Sequence, residues 1–230
     1  MGAPACGHPA PSDRLALGEG PFGRRRQRAR GRPGAQRGHR RARRRGGVSA
    51  SSPEQTPALR SARLTLHLPT DSERDAALML AVLNDADFIA QVRDAGVRDL
   101  ATAREAVRRG PLAYRAANGL GLCRVVEAAS GRDIGQAGLV TRDYLPAPDL
   151  GYALLPEARG KGYATEAARA VLDHARDVLR LPRVLALVNP TNTASLTVMD
   201  RLGFVFETMA QLPGLDHPLR QFSITLHEDR

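Results

Sequence analysis

The chain has 230 residues, 42% apolar and 25% charged, which suffices for one well-buried domain with an appendage and excludes a large multidomain assembly. Its formal charge of +10 sits almost wholly in residues 1–47, where 13 arginines face only Asp13 and Glu19, so the rest of the chain is nearly neutral and the overall basicity does not describe the part that folds. Two distant cysteines, Cys6 and Cys123, argue against a disulfide framework, the scattered histidines lack zinc-ligand spacing, and no apolar run approaches the roughly 20 residues of a membrane helix or resembles a secretory signal. A soluble, cytoplasmic, metal-free protein is expected.

Residues 1–57 are rich in Gly, Pro, Ala and Arg and lack apolar periodicity, so a disordered N-terminal extension is expected there and one folded domain over 58–230. The run Arg40 to Arg45 offers phosphates an electrostatic foothold, which keeps nucleic acid in view only through this tail. Translation starting downstream, for instance at Val48, would leave the tail out of the native protein.

Order begins where Leu64, Leu66 and Leu68 alternate with polar residues at the period of a half-buried strand. Thr70 and Glu73 form a capping-box pattern ahead of a helix to Leu83, Asn84 and Asp85 are suited to cap a second helix through Val92, and a third spans Thr102 to Arg109. Gly119 to Gly121 turns the chain into a strand at Leu122 to Glu127, Ser130-Gly131-Arg132 makes a hairpin, and Ile134 to Thr141 pairs back. Strands follow at Leu150 to Leu155 and Arg183 to Val188, each leading into a helix, with closing strands at Phe204 to Glu207 and Phe222 to Leu226. The order is mixed α/β without repeats.

The chemistry concentrates where the strand ending at Leu155 passes through Arg159-Gly160-Lys161-Gly162-Tyr163-Ala164 into a helix. That helix is marked by one apolar stripe: Ala164, Ala167, Ala168, Val171, Leu172, Ala175, Val178 and Leu179. Its first N–H groups lack internal partners and its dipole favours an anion, while Gly160 and Gly162 remove side chains that would hold a phosphate away from the backbone. Arg159 and Lys161 add positive charge. The P-loop pattern fails because Gly162 precedes Tyr163 rather than Lys, and the dinucleotide fingerprint lacks its third glycine. A glycine-rich turn with no ligand is the structural alternative.

A second constellation follows the strand ending at Val188. Asn192 begins a helix in which Ser195, Val198, Met199 and Leu202 share a face, and Gly203-Phe204 follow. Asn192 as a plain helix cap and Ser195 bonded back to a carbonyl would explain both polar residues structurally.

With both motifs present, the stretch from Arg63 to His227 resembles the GCN5-related N-acetyltransferases, in the branch resembling ribosomal-protein N-terminal acetyltransferases. The family signature R/Q-x-x-G-x-G/A appears as Arg159 to Ala164, and N-x-x-S with a helix ending L-G-F appears as Asn192 to Ser195 and Leu202 to Phe204. The resemblance implies a mixed, mostly antiparallel sheet of six to seven strands, splayed at the cofactor strand, with helices on both faces. It implies acetyl-coenzyme A on the corner formed by Arg159, Gly160, Lys161, Gly162, Tyr163 and Ala164, its pantetheine arm between the strands at Leu150 to Leu155 and Arg183 to Val188. Leu154 backbone would meet that arm like an added strand, with Asn192 and Ser195 nearer the thioester. Many members carry a proton-donating tyrosine where this chain has Met199, so Ser195 or water takes that task, or the thiolate leaves unassisted.

The implied reaction is direct attack of a primary amine on the thioester, with an oxyanion held by an N–H near Leu154. Cys123, near no histidine in sequence, is read as a packing residue rather than an acyl carrier. Asp149 is the candidate base and Glu127 a second one, each also readable as a solvated strand-end carboxylate. At pH 7.4 an α-amine with pKa near 7.8 is roughly a quarter neutral and a lysine amine only about one part in a thousand, so a low-pKa acceptor is favoured, protein N-terminus or small molecule. A monomer or homodimer is expected. A non-catalytic acyl-coenzyme A sensor and an Arg-tailed nucleic-acid adaptor are the competing functions.

Overall fold

The computed structural model describes residues 58–118, 121–212 and 215–227. The N-terminal extension, with Cys6 and Val48, and the start of the turn at Gly119 lie outside the described residues.

The strands are β1 (Leu59–Arg60), β2 (Leu64–His67), β3 (Leu122–Glu127), β4 (Asp133–Val140), β5 (Asp149–Leu154), β6 (Arg183–Val188), β7 (Val205–Ala210) and β8 (Leu219–Thr225). The helices are α1 (Glu73–Leu83), α2 (Ala86–Gln91), α3 (Leu100–Val107), α4 (Ala113–Asn118), α5 (Tyr163–Asp177) and α6 (Thr193–Leu202). They build one eight-stranded sheet in the order β1-β2-β3-β4-β5-β6-β8-β7. Every pairing is antiparallel except β5 with β6. This is the mixed, mostly antiparallel architecture expected, with two-residue β1 bringing the count to eight.

Alternation along β3 places helices on both faces. Cys123 and Val125 join the core that contains Ala167, Val171 and Met199 of α5 and α6. Arg124 between them turns to the opposite face and meets Asp75 of α1, Nε to carboxylate at 3.1 Å. That second face has its own apolar cluster, built from Ala76 and Met79 of α1 and Ala103, Ala106 and Val107 of α3. Arg124 and Asp75 are 8% and 5% exposed, and Arg124 also reaches Asp133 at 2.8 Å. Thr70 and Ser72 donate hydroxyl hydrogen bonds to the other Asp75 oxygen, so this ion pair is well satisfied.

Several boundaries differ from the sequence reading. The cap of α1 is Ser72, which accepts from Asp75 N–H, whereas Thr70 spends its hydroxyl on the Asp75 carboxylate. A π-type turn over Arg108–Leu112, with Pro111 inside it, carries α3 into the unexpected α4, because proline can donate no N–H to an ordinary helical ladder. Helix α5 stops at Asp177, leaving Val178 and Leu179 outside at 63% and 39% exposure, so the apolar stripe ends at Ala175. Strand β7 runs on to Ala210, paired with β8 through an irregular register.

Candidate active site

The opening in the sheet arises between its two parallel strands. Only Asp149 and Leu185 stand in register, with Leu185 N–H bonded to Pro148 O at 2.9 Å, and beyond them β5 and β6 make no further ladder. On its other edge β5 stays paired with β4 throughout. Leu155 N–H donates to Ile134 O on β4, so by strand alternation Leu154 and Tyr152 turn their backbone polar groups toward the gap. The Leu154 carbonyl is taken by Arg159 Nε at 3.0 Å, which leaves its N–H as the group on offer.

At the open end the chain turns the corner into α5. Gly160 and Gly162 hold φ of +73° and +79°, a left-handed backbone that non-glycine residues adopt at a cost. Gly162 is the N-cap and supplies no side-chain hydrogen bond to the first turn. Gly160, Lys161 and Gly162 are exposed, and a Cβ on Gly160 would meet nothing within 4 Å. Bare amides, a positive helix end and open space are what a diphosphate requires, so the residues present fit the group.

The charged residues of the corner divide by task. Lys161 is exposed and belongs to no ion pair among the described residues, whereas Arg159 is committed to Asp87 at 2.5 Å and to Asp85, the N-cap of α2. Arg159 thereby ties the corner to α2 instead of presenting a free guanidinium. Tyr163 is 8% exposed, with Arg63 stacked 4.5 Å from its ring centre and its hydroxyl donating to Glu127 at 2.6 Å, so only its main chain can face a ligand. Ala164 is half-buried on the first turn and packs against the core.

Sequence reasoning missed the clamp behind this corner. Glu166 accepts from Ser61 Oγ at 2.7 Å, from Arg63 N–H at 2.7 Å and from Arg63 Nε at 2.6 Å, and Arg63 Nη1 donates to Lys161 O at 3.1 Å. The β1–β2 turn thus holds the glycine loop in place. Nothing local announces the pairing, since Ser61 and Glu166 are 105 positions apart.

Across the gap, Asn192 is the N-cap of α6 and accepts from Ser195 N–H at 3.0 Å, the structural role its position allowed. Ser195 is half-buried rather than sealed in the core, and among the described residues no carbonyl accepts from its hydroxyl, which faces that of Tyr152 from β5. Met199 is 1% exposed and packs in the core.

The two candidate bases are both held. Arg142 grips Asp149 with Nε at 2.8 Å and Nη2 at 3.3 Å, at the closed end of the gap. Burial pushes the Asp149 carboxyl up while Arg142 pulls it back. Glu127 accepts from Ser130, Tyr163 and Arg132, which together hold it down to about 2 and make it a very weak base. Asp149 and Leu154 are separated by about 16 Å of extended strand, so no single reacting centre adjoins both. Cys123 is 1% exposed, and burial lifts its thiol to about 11, the reverse of an activated nucleophile.

The model of the acetyltransferase (GNAT) domain matches residues 63–205, more than half of the chain. The chain belongs to the GNAT acetyltransferase family. Among curated relatives, YkkB, an uncharacterized protein of Bacillus subtilis, is 31% identical over 137 residues, covering 57% of this chain and 76% of the relative. A solved acetyltransferase from Agrobacterium tumefaciens superposes with a TM-score of 0.61 at 26% identity, over 79% of this chain and 100% of its own. A ribosomal-protein-S5-alanine acetyltransferase from Vibrio fischeri shares the fold, with a TM-score of 0.59 at 21% identity over 72% of this chain and 94% of its own. This GNAT enzyme is an N-acetyltransferase: the two motifs and the splayed strands occupy the matched domain together. No helix among the described residues is long and apolar enough to cross a membrane.

Proposed function

We propose that this GNAT enzyme moves the acetyl group of acetyl-coenzyme A directly to a primary amine of low basicity, the α-amine of a protein or peptide N-terminus or a comparable small-molecule amine, in a ternary complex. The observation that carries the choice of acceptor is the state of its carboxylates. Glu127 is pinned by three hydrogen bonds and Asp149 by a two-pronged arginine, so neither is free to strip a proton from a lysine ammonium. An amine already partly neutral at physiological pH asks for no strong base.

In this reading the amides of Gly160, Gly162, Tyr163 and Ala164 hold the diphosphate, with Lys161 adding charge. Leu154 N–H lies along the gap for the pantetheine arm, and Asn192 caps the helix that brings Ser195 to its far side. The cosubstrate supplies the activated acetyl group. The protein supplies alignment, which in well-oriented intramolecular reactions is worth effective molarities of about 10⁵ to 10⁸ M. A direct transfer also suits Cys123, whose buried, proton-bearing thiol is a poor acyl carrier. We place the acetyltransferase body at 58–230 and the enzyme in the cytoplasm, acting as monomer or homodimer; the Arg-rich residues 1–57 are outside this assignment.

Release of free thiol from acetyl-coenzyme A, measured with a panel of amines at pH 7.4, tests the reading. Peptides with a free α-amine should be acetylated faster than the same peptides with a blocked N-terminus and a free lysine. Preference for the lysine peptides would overturn it.

A further inference from the structure

Tyr152 stands near the middle of the cofactor-side strand β5. It lies on β5, the strand that borders the gap, on the face that Leu150 and Leu154 share with α5 and α6, and its ring packs against that core. Its hydroxyl oxygen is sealed from solvent yet has no hydrogen-bond partner of ordinary geometry; the Ser195 hydroxyl faces it from α6. A buried phenol so poorly partnered is costly, and in a folded protein such a group calls for an explanation, a catalytic role among them. The packing of the ring would be served equally well by phenylalanine, so the oxygen itself calls for an explanation. Neighbouring Met199 has no proton to give, whereas Tyr152 of β5 and half-buried Ser195 of α6 bring their hydroxyls to face each other.

The geometry points to Tyr152 as a catalytic hydrogen-bond donor to the departing sulfur of the coenzyme A thioester, with Ser195 orienting its hydroxyl. The balance closes without any added reactant. The amine nitrogen bonds to the carbonyl carbon, the carbon–sulfur bond breaks with its electron pair passing to sulfur, and the proton shed by nitrogen replaces the one that Tyr152 gives to the thiolate. Burial raises the phenol above its ordinary value, so it keeps its proton until sulfur departs. Because a thiol near 8.5 is a stronger acid than a phenol near 10, the contribution is a hydrogen bond that strengthens as charge builds on sulfur, with full transfer completed as the nitrogen loses its proton.

The inference rests on the proposed seating of the cosubstrate in the gap, and the test separates the two. Tyr152→Phe removes one oxygen and no packing. In that variant kcat should fall about ten- to a hundredfold, the size expected for losing a hydrogen bond to a charged group, with the KM for acetyl-coenzyme A nearly unchanged. The melting temperature should hold or rise, since the lost oxygen makes no hydrogen bond of ordinary geometry. An equilibrium readout comes from free coenzyme A: its thiol, followed by thiolate ultraviolet absorbance, should titrate lower when bound to the wild-type protein and return toward its free value on the Tyr152→Phe protein. Ser195→Ala should give a smaller change in the same direction. Coenzyme A binding with the same thiol titration and the same kcat in wild type and Tyr152→Phe would overturn the role of Tyr152. Failure of the wild-type protein to bind coenzyme A at all would overturn the seating beneath it.

Discussion

At the scale of single residues, the corner between β5 and α5 is decided by two glycines whose backbone no ordinary residue shares comfortably. Gly162→Val places a β-branched side chain at φ of +79°, with a new Cβ 3.5 Å from Arg63 Nη2. Left-handed backbone costs an L-residue about 1–2 kcal/mol. The variant should therefore lose that much stability in denaturant titration and bind coenzyme A about tenfold or more weakly by calorimetry, because the cradle is blocked. Unchanged affinity would remove the loop from the cofactor site. This corner was legible in the sequence because glycines, charges and a helix start lie within six adjacent positions. The commitments of Arg159 to Asp85 and Asp87, of Tyr163 to Glu127 and of Asp149 to Arg142 were not, since the first two join residues more than 30 positions apart and none leaves a pattern in the intervening chain.

Between elements, two polar links do work that apolar periodicity cannot reveal. One joins α1 to β3 through Asp75 and Arg124, continued to Asp133 of β4, which Arg74 also reaches at 2.7 Å. Arg124→Ala would leave Asp75 buried without its cation, so a loss of about 3 to 5 kcal/mol is expected in equilibrium unfolding, although the site lies off the proposed cofactor gap. A change below about 1 kcal/mol would mean that the pair is less desolvated than its burial indicates. The other link is α2, tied at one end by Arg159 and reached at Gln91 by Thr191 Oγ1 at 3.2 Å, so this helix contacts the segments that follow both β5 and β6. The hairpin β3–β4, the strand β6 and the α2 cap at Asp85 followed their local signals closely. Helix α4 escaped notice because its signal begins behind Pro111, where helix rules expect a stop.

Across the whole molecule, the acetyltransferase reading depends on one topological event: a sheet otherwise paired antiparallel admits a single parallel neighbour, and that pair separates after one point of register. The separation exposes strand edge inside the body of the fold, where unpaired amides are normally avoided. An extended ligand arm that hydrogen-bonds like a strand resolves that exposure, and the glycine corner at the open end supplies its anion site. Sequence order alone indicated strands feeding helices on either side of the gap, but the separation itself is a property of pairing and needs coordinates. Amide hydrogen exchange of the whole chain with and without coenzyme A tests this account most directly. Protection should rise at residues 160–166 and along the facing edges of β5 and β6, including Leu154. Bound coenzyme A with no added protection at that corner or along those edges would contradict it.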